Sequence, residues 1–361
     1  MARKPRKKDK AALRDALMMV SPGTELREAI AAIIQSRNGA LICIGDPKRL
    51  ADVSEGGVEI DAELTPQLLY ELAKMDGAII LNQEGTRIVY ANRFIKTDTS
   101  IPTDETGTRH RAAERLAKQT GCIVVAVSER RSTVTLYAHD AKQILDSIST
   151  LLNKSMQALN TLEKYVRALD QATTDLSTRE FEDVVTIFDV CKTVQRCEMG
   201  TRIAREIEPY IVELGSEGRL VDMQLQELLI PFEEAQLVVK DYYREKAGIK
   251  YDQALERVGE VTAEELLELS NISNALGYSA NLKSIDTYLS PRGYRILTQT
   301  RRLTPQIIEN LVQKFGSLQQ IMRAPKEELC TVDGIGEILA ERIRLSLNSL
   351  RNQLAMDRVR R

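Results

Sequence analysis

Gly107-Thr108-Arg109-His110-Arg111 sets two arginines and a histidine in five consecutive residues where a helical pattern opens. A helix N-terminus carries partial positive charge, so cations are misplaced there unless an anion joins them. Free backbone N–H groups and guanidinium forks both suit phosphate oxygens, and a triphosphate is the natural guest. A solvated basic face is the other reading, and the residues alone leave both open. Met75-Asp76-Gly77-Ala78, at the start of an apolar strand, offers a carboxylate beside a glycine that would let a ligand approach the backbone. It suits a metal ligand or a base for a hydroxyl. Taken by itself, Asp-Gly is also a common helix-to-strand turn.

A third segment, VDGIGEILAERI (332–343), has a different chemistry. Gly334 and Gly336 allow a tight turn with positive φ and close backbone approach, and Ile335 anchors the turn between two helices. The following helix then points its first amides at an anion. This is a helix-hairpin-helix, which holds the phosphate backbone and reads shape rather than base sequence. A lone G-x-G could merely end a helix in a bundle. Here the spacing of Ala340 and Ile343, the preceding APKEEL and the local basicity agree on DNA. RRLTPQIIENLVQKFGS (301–317) resembles a degenerate first copy, so a tandem pair is expected. Too little chain follows the hairpin for the catalytic segment of a helix-hairpin-helix glycosylase.

The elements that must position these residues follow from periodicity. The chain has 361 residues, room for two or three domains of roughly 100–200 residues. Hydrophobic residues are 43%, aromatics 4% and Trp is absent, which favours helix. The expected fold is α+β and multidomain: a basic tail (1–10), an α/β domain with a mixed sheet (11–140), an all-α spine (141–290) and a helix-hairpin-helix domain (291–361). In the α/β domain, Ser21-Pro22-Gly23 opens a helix that Asn38-Gly39 ends, and 41–45 is a buried strand. Thr65-Pro66 caps a helix to about Lys74, 78–92 is a hairpin about Glu84-Gly85, and 107–121 is a helix closed by Gly121. Strands at 122–128 and 132–138 flank Arg130-Arg131. From 141 to about 275, strand signals vanish. Ile144, Ile148 and Leu152 begin a helical stripe, with further stretches over 181–214 and 220–239. Pro231 should kink or restart the last of these. The helices read as an antiparallel spine.

Charge is uneven. Residues 150–291 carry 15 basic and 25 acidic side chains, whereas 292–361 carry 13 and seven, so a polyanion is expected at the C-terminal unit. No run of about 18 apolar residues suggests a membrane span, and MARKPRKKDK lacks the apolar region of a secretory signal. Cys43, Cys122, Cys191, Cys197 and Cys330 are scattered and read as reduced thiols, mostly in the core. Two histidines exclude a His-rich metal site, and no Walker A or G-x-G-x-x-G occurs in the α/β region.

MDGAIIL, GTRHRAAERLAKQTG and VAVSERR together resemble the diadenylate cyclase domain, whose marks are D-G-A and R-H-R segments. The order of cyclase domain, spine and helix-hairpin-helix is similar to the DNA-integrity-scanning members of that family. LEKYVRALD, PYIVELGSEGRL and PRGYRIL resemble their spine and linker. The likeness spans nearly the whole chain beyond the first ten or so residues. It implies that two cyclase domains face each other and join two ATP into cyclic di-AMP and two pyrophosphates, with Mg2+ or Mn2+. It further implies a cytoplasmic, nucleoid-associated homo-octamer that senses branched or damaged DNA. Carried onto this sequence, Asp76 meets the attacking ribose or the metal, and Gly77 and Ala78 approach the nucleotide. Thr108, Arg109, His110 and Arg111 hold phosphates, with Ala112 behind them. Ile95 lies against the base, Ser128 reaches phosphate or metal, and Glu129 and Arg130 are weaker candidates. Close relatives often have Thr where this chain has Ala112, which leaves only a backbone contact there. The alternative is a non-catalytic DNA-junction binder whose α/β domain senses nucleotide; intact Asp76 and Arg109-His110-Arg111 speak against it. A nuclease would need a carboxylate cluster, and Glu327, Glu328 and Asp333 do not form one by their spacing.

Overall fold

The computed structural model describes residues 7–245, 248–279, 285–300 and 302–360. The first six residues of the basic tail lie outside them, as does Arg301 of the first-copy segment. The chain divides into two compact units, residues 1–156 with 207–223, and residues 157–206 with 224–361.

The first unit contains α1 (Lys7–Met19), α2 (Glu25–Gln35), β1 (Ala40–Ile44), α3 (Pro47–Asp52), β2 (Ser54–Glu55), β3 (Val58–Glu63), α4 (Pro66–Leu72), β4 (Ala78–Leu81), β5 (Arg87–Ile95), α5 (Thr108–Thr120), β6 (Ile123–Ser128), β7 (Thr133–Ala138) and β8 (Ala141–Ile144). The strands form a mixed sheet in the order β2-β5-β4-β1-β6-β7-β8, with β3 also paired to β5. Among the described strands, only β1 and β4 run parallel. Alternate residues of β1 feed two layers. Ile42 and Ile44 join Leu17, Ile30 and Leu69 of α1, α2 and α4, while Leu41 and Cys43 join Leu50 and Leu116 of α3 and α5. Both faces are covered, which is why this strand reads as an unbroken apolar run. Thr65 accepts the Leu68 N–H as the cap of α4. Gly121, at φ 73°, closes α5 in the left-handed region.

The reading of 141 onward as helix needs correction at its start. Ala141–Ile144 is an edge strand on β7, so Ile144 belongs to the sheet. Four residues are too few to show a period, and the apolar spacing that follows carries the pattern back across them. The spine proper is α6 (Ile148–Glu182), α7 (Ile187–Leu214) and α8 (Arg219–Tyr242), followed by α9 (Tyr251–Glu260) and α10 (Leu269–Ala275). The apolar stretch from Phe181 breaks because Asp183 takes φ 61° and the Val184 N–H returns to the Arg179 carbonyl, a left-handed helix stop. Pro231 does not restart a helix: α8 runs through it, giving up one backbone donor. Within the second unit, Arg196 donates to the Ala168 carbonyl and Arg179 pairs with Asp189, so α7 runs back against α6. Gln224 bonds Glu163 and Tyr242 bonds Glu180, which sets α8 alongside α6 in the same direction.

The C-terminal part comprises α11 (Tyr294–Thr298), α12 (Pro305–Phe315), α13 (Leu318–Arg323), α14 (Lys326–Leu329) and α15 (Glu337–Arg360) around their own apolar core. Its entry is pinned by Asp241, whose carboxylate accepts the N–H groups of Gly293, Tyr294 and Arg295 and so caps α11. Four cysteines are buried, Cys330 is half-buried, and all five are free. No described helix is long and apolar enough to cross a membrane.

Candidate functional site

Strand register brings the candidate residues of the α/β domain to one edge of the sheet. Leu41 pairs with both Ala78 and Ala126, and Ala78 pairs with Arg93. The β1–β6 pairing runs to Ala40–Val127, so Gly39 and Ser128 lie at this end of β1 and β6; Asp76 lies two residues before β4, and Ile95 ends β5, paired with Ser54 of β2. Ser128 in turn pairs with Thr133 of β7. Asp76 and Ser128 thus lie at the same end of the sheet, with β1 between their strands.

The N-terminus of α5 meets the same edge. Gly107 caps it without a side-chain bond, and its carbonyl accepts the Arg111 N–H, so the amides before Arg111 lie outside the helical ladder. Beside it lies an open cleft of about 460 Å³, lined among others by Thr108, Arg109, His110, Ser128, Glu129 and Arg130. Six of the sequence candidates thus share one cleft of a size that suits a small ligand. The Arg109 guanidinium lies on Gly39: a Cβ there would sit 2.0 Å from Nη1. Gly39, read from sequence only as a helix stop, is what leaves room for that arginine.

Electrostatics favour an anion. Arg109, Arg130, Arg131 and Lys142 line the cleft against Glu105 and Glu129. The His110 ring meets Tyr137 edge-on, with centroids 6.5 Å apart. Burial holds its imidazole below the ordinary value; Glu105 opposes this, and Arg109, Lys142 and Arg131 add to it. These surroundings therefore favour the neutral imidazole. Burial pushes the Glu105 carboxyl up, but hydrogen bonds from Lys142 and Tyr137 outweigh it and hold the group below its usual range. Arg131, Lys142 and Glu105 were not among the sequence candidates. Arg131 sits in the same turn as Arg130, which was a usable signal. Lys142 lies on the strand taken for helix.

Asp76, Gly77, Ala78, Ile95, Arg111 and Ala112 do not line this cleft. Asp76 is exposed at the end of β4. Gly77 takes φ 105°, and a Cβ on it would meet Asn92 at 2.9 Å. Glycine is thus required here by its backbone conformation and by the neighbouring β5. The Ala78 side chain is buried, and Ile95 is half-buried. Arg111 turns away and donates to the Thr106 carbonyl at 3.0 Å. Ala112 is half-buried on α5 behind it. Among the described residues, no group of three or more His, Cys, Asp or Glu could hold a metal, so Asp76 and Glu129 form no protein cage.

The second candidate surface holds two turns in one register. Val332, Gly334, Ile335 and Gly336 correspond to Thr300, Arg302, Leu303 and Thr304. The Ile335 N–H bonds the Val332 carbonyl as Leu303 bonds Thr300, and Ala340 bonds Gly336 as Ile308 bonds Thr304. Gly334 has φ 84°, and Arg302 takes φ 70°. Gly336 is not at positive φ, which corrects its expected role. Instead it faces open space where a Cβ would stand. Ile335 is buried in the C-terminal core, the anchoring its sequence suggested.

Residues 27–142 match the family described as DisA bacterial checkpoint controller nucleotide-binding. Residues 145–285 match the DisA bacterial checkpoint controller linker region. Residues 294–349 match the SAM-like helix-hairpin-helix tandem. The DNA integrity scanning protein DisA of Carboxydothermus hydrogenoformans is 49% identical over 94% of this chain and 96% of its own length. That of Acetivibrio thermocellus is 46% identical over 98% of each. A solved structure of DacA from Staphylococcus aureus, a double mutant, aligns at TM-score 0.29 and 26% identity over 39% of this chain and 91% of its own.

Proposed function

Because the chain belongs to the family of the DNA integrity scanning protein DisA, we propose that its α/β domain condenses two ATP into cyclic di-AMP and two pyrophosphates while its hairpins sense branched DNA. The family brings a nucleotide-binding domain and a tandem helix-hairpin-helix. The observation that carries the reading is the shared sheet edge. A nucleoside triphosphate is long enough to lie along it, with its base at Ile95, its ribose at Asp76 and its phosphates at Arg109, His110 and Ser128. Gly77 and Ala78 offer backbone only, and Arg111 and Ala112 support the helix turn. One edge supplies one nucleotide, so the second comes from a facing copy; an octamer is the assembly proposed. The nucleophile is a substrate hydroxyl, and catalysis is positioning plus charge neutralisation. Asp76 or Glu129, with the phosphates, would hold Mg2+ or Mn2+, which would supply neutralisation of the developing charge.

The test is incubation with ATP and Mn2+ followed by mass spectrometry of the product. Wild-type protein is expected to yield cyclic di-AMP. Asp76→Asn should yield none while still binding ATP, because the phosphate contacts lie on other strands. Undiminished product from that variant would remove Asp76 from the chemistry. DNA binding is expected to fall steeply with salt. Gly334→Val should abolish it, since valine at φ 84° forces the turn open.

A further inference from the structure

β7 and β8 close the far end of the cleft, away from Asp76 and Ile95. Lys142 stands opposite Tyr137 on β8 and lines the cleft with Arg131, Thr133 and Thr135. Its ammonium is paired with Glu105, whose Oε1 also accepts the Tyr137 hydroxyl at 2.8 Å. Glu105 is only 15% exposed, whereas Lys142 is 45% exposed. The carboxylate is thus fixed, and the cation is the movable member of the pair. Such a half-open ion pair is weak, so leaving it for a polyphosphate costs little. A lysine has the reach and rotational freedom for that exchange.

We propose that Lys142 leaves its pair with Glu105 to receive the β- and γ-phosphates of ATP, the part that departs as pyrophosphate. The assignment rests on the cyclase reading, which sets the direction of the nucleotide along the edge. With the base at β5 and the ribose at β4, the triphosphate tail points past Ser128 to β7 and β8. In the reaction the bond from the 3′-oxygen to the α-phosphorus forms as the bond from that phosphorus to its bridging β-oxygen breaks. The hydroxyl proton passes to water, and the electron pair leaves with pyrophosphate. Lys142 would stand where that negative charge accumulates.

The experiment compares calorimetric affinities of the full-length protein for 3′-deoxy-ATP, which lacks the attacking hydroxyl, and for cyclic di-AMP, which lacks the β- and γ-phosphates. Lys142→Ala should weaken 3′-deoxy-ATP by roughly tenfold and leave cyclic di-AMP within about twofold. Lys142→Arg should restore part of the loss. Glu105→Gln, which frees the ammonium, should not weaken 3′-deoxy-ATP. Equal weakening of both ligands by Lys142→Ala would mean a merely structural role and overturn the assignment, as would no weakening of either. Wild-type protein that binds neither ligand would sink the cyclase reading itself, an outcome distinct from wild-type binding that Lys142→Ala leaves unaltered.

Discussion

Two groups of cations and carboxylates in this protein have opposite settings. At the sheet edge, four cations face two carboxylates across an open cleft. In the second unit, Arg295 donates to Glu180 and Ser177 while Tyr242 donates to the other Glu180 oxygen, and the Arg295 and Glu180 side chains are 4% and 0% exposed. The first arrangement is unbalanced and wet, and a polyanion completes it. The second is closed: Arg295 Nη2 and both Glu180 oxygens are bonded within it, while the buried Arg295 Nε finds no partner among the described residues, and the knot holds α6, α8 and α11 together. Charge is informative about ligands where it is left over, and about architecture where it is used up.

The largest effect expected from breaking this contrast is structural. Arg295→Met leaves Glu180 and Asp241 buried without their cation. Loss of one partner of a buried pair costs roughly 3–5 kcal/mol. Urea unfolding should show that drop. A change below about 1 kcal/mol would mean that the knot contributes little beyond packing.

The pH dependence comes next. Burial pushes the Glu180 carboxyl up to about 7 from its ordinary 4.5; Arg295 opposes this and Asp241 adds to it. A raised folded value means the fold favours the protonated group. Its contribution is full below about 4.5 and is lost as pH rises through about 7. Between pH 5 and 8 the wild type should therefore lose stability, on the order of a few kcal/mol at most, that Glu180→Gln does not lose. Asp241 and Glu213 are raised by burial too, so the informative quantity is the difference between the two proteins. Parallel curves would remove Glu180 as the titrating group.

At the open edge, Arg109→Ala should weaken ATP by roughly 1.5–3 kcal/mol, the usual worth of a charge-assisted bond. Stability should hardly change, since what Arg109 covers is the glycine face of Gly39. Unaltered ATP affinity would return this helix start to being an ordinary basic surface.

Much of this was legible from the chain. Arg109 and His110 stood out because cations at a helix start have no internal reason to be there. The hairpin at Gly334 stood out because glycine spacing encodes backbone conformation. Its partner turn was harder to read, since Arg302 adopts φ 70° without a glycine to announce it. The knot was invisible: Glu180, Asp241 and Arg295 are ordinary helix and linker charges until the fold brings them together. Lys142 was missed because β8 is four residues long, an edge strand next to a long helix whose apolar period overruns it.

Salt gives the smallest effect and the sharpest separation of the two sites. Screening acts through water: the Debye length is about 10 Å at 0.1 M and about 3 Å at 1 M. The cleft is open, and Lys142 is 45% exposed, so its attraction for phosphate passes through solvent. Raising sodium chloride from 0.1 to 1 M should weaken ATP severalfold in the wild type, on the order of 1 kcal/mol. Arg109→Ala should show a shallower slope, because one of the screened cations is gone. The Arg295–Glu180 pair is sealed from water. The stability difference between wild type and Arg295→Met should therefore be the same at both salt concentrations, although salt moves both proteins' absolute stability. Paired urea titrations at the two salt concentrations measure that difference directly. If it shrinks with salt as ATP affinity does, water reaches Arg295, and the division between a closed charge pair and an open one fails for this protein.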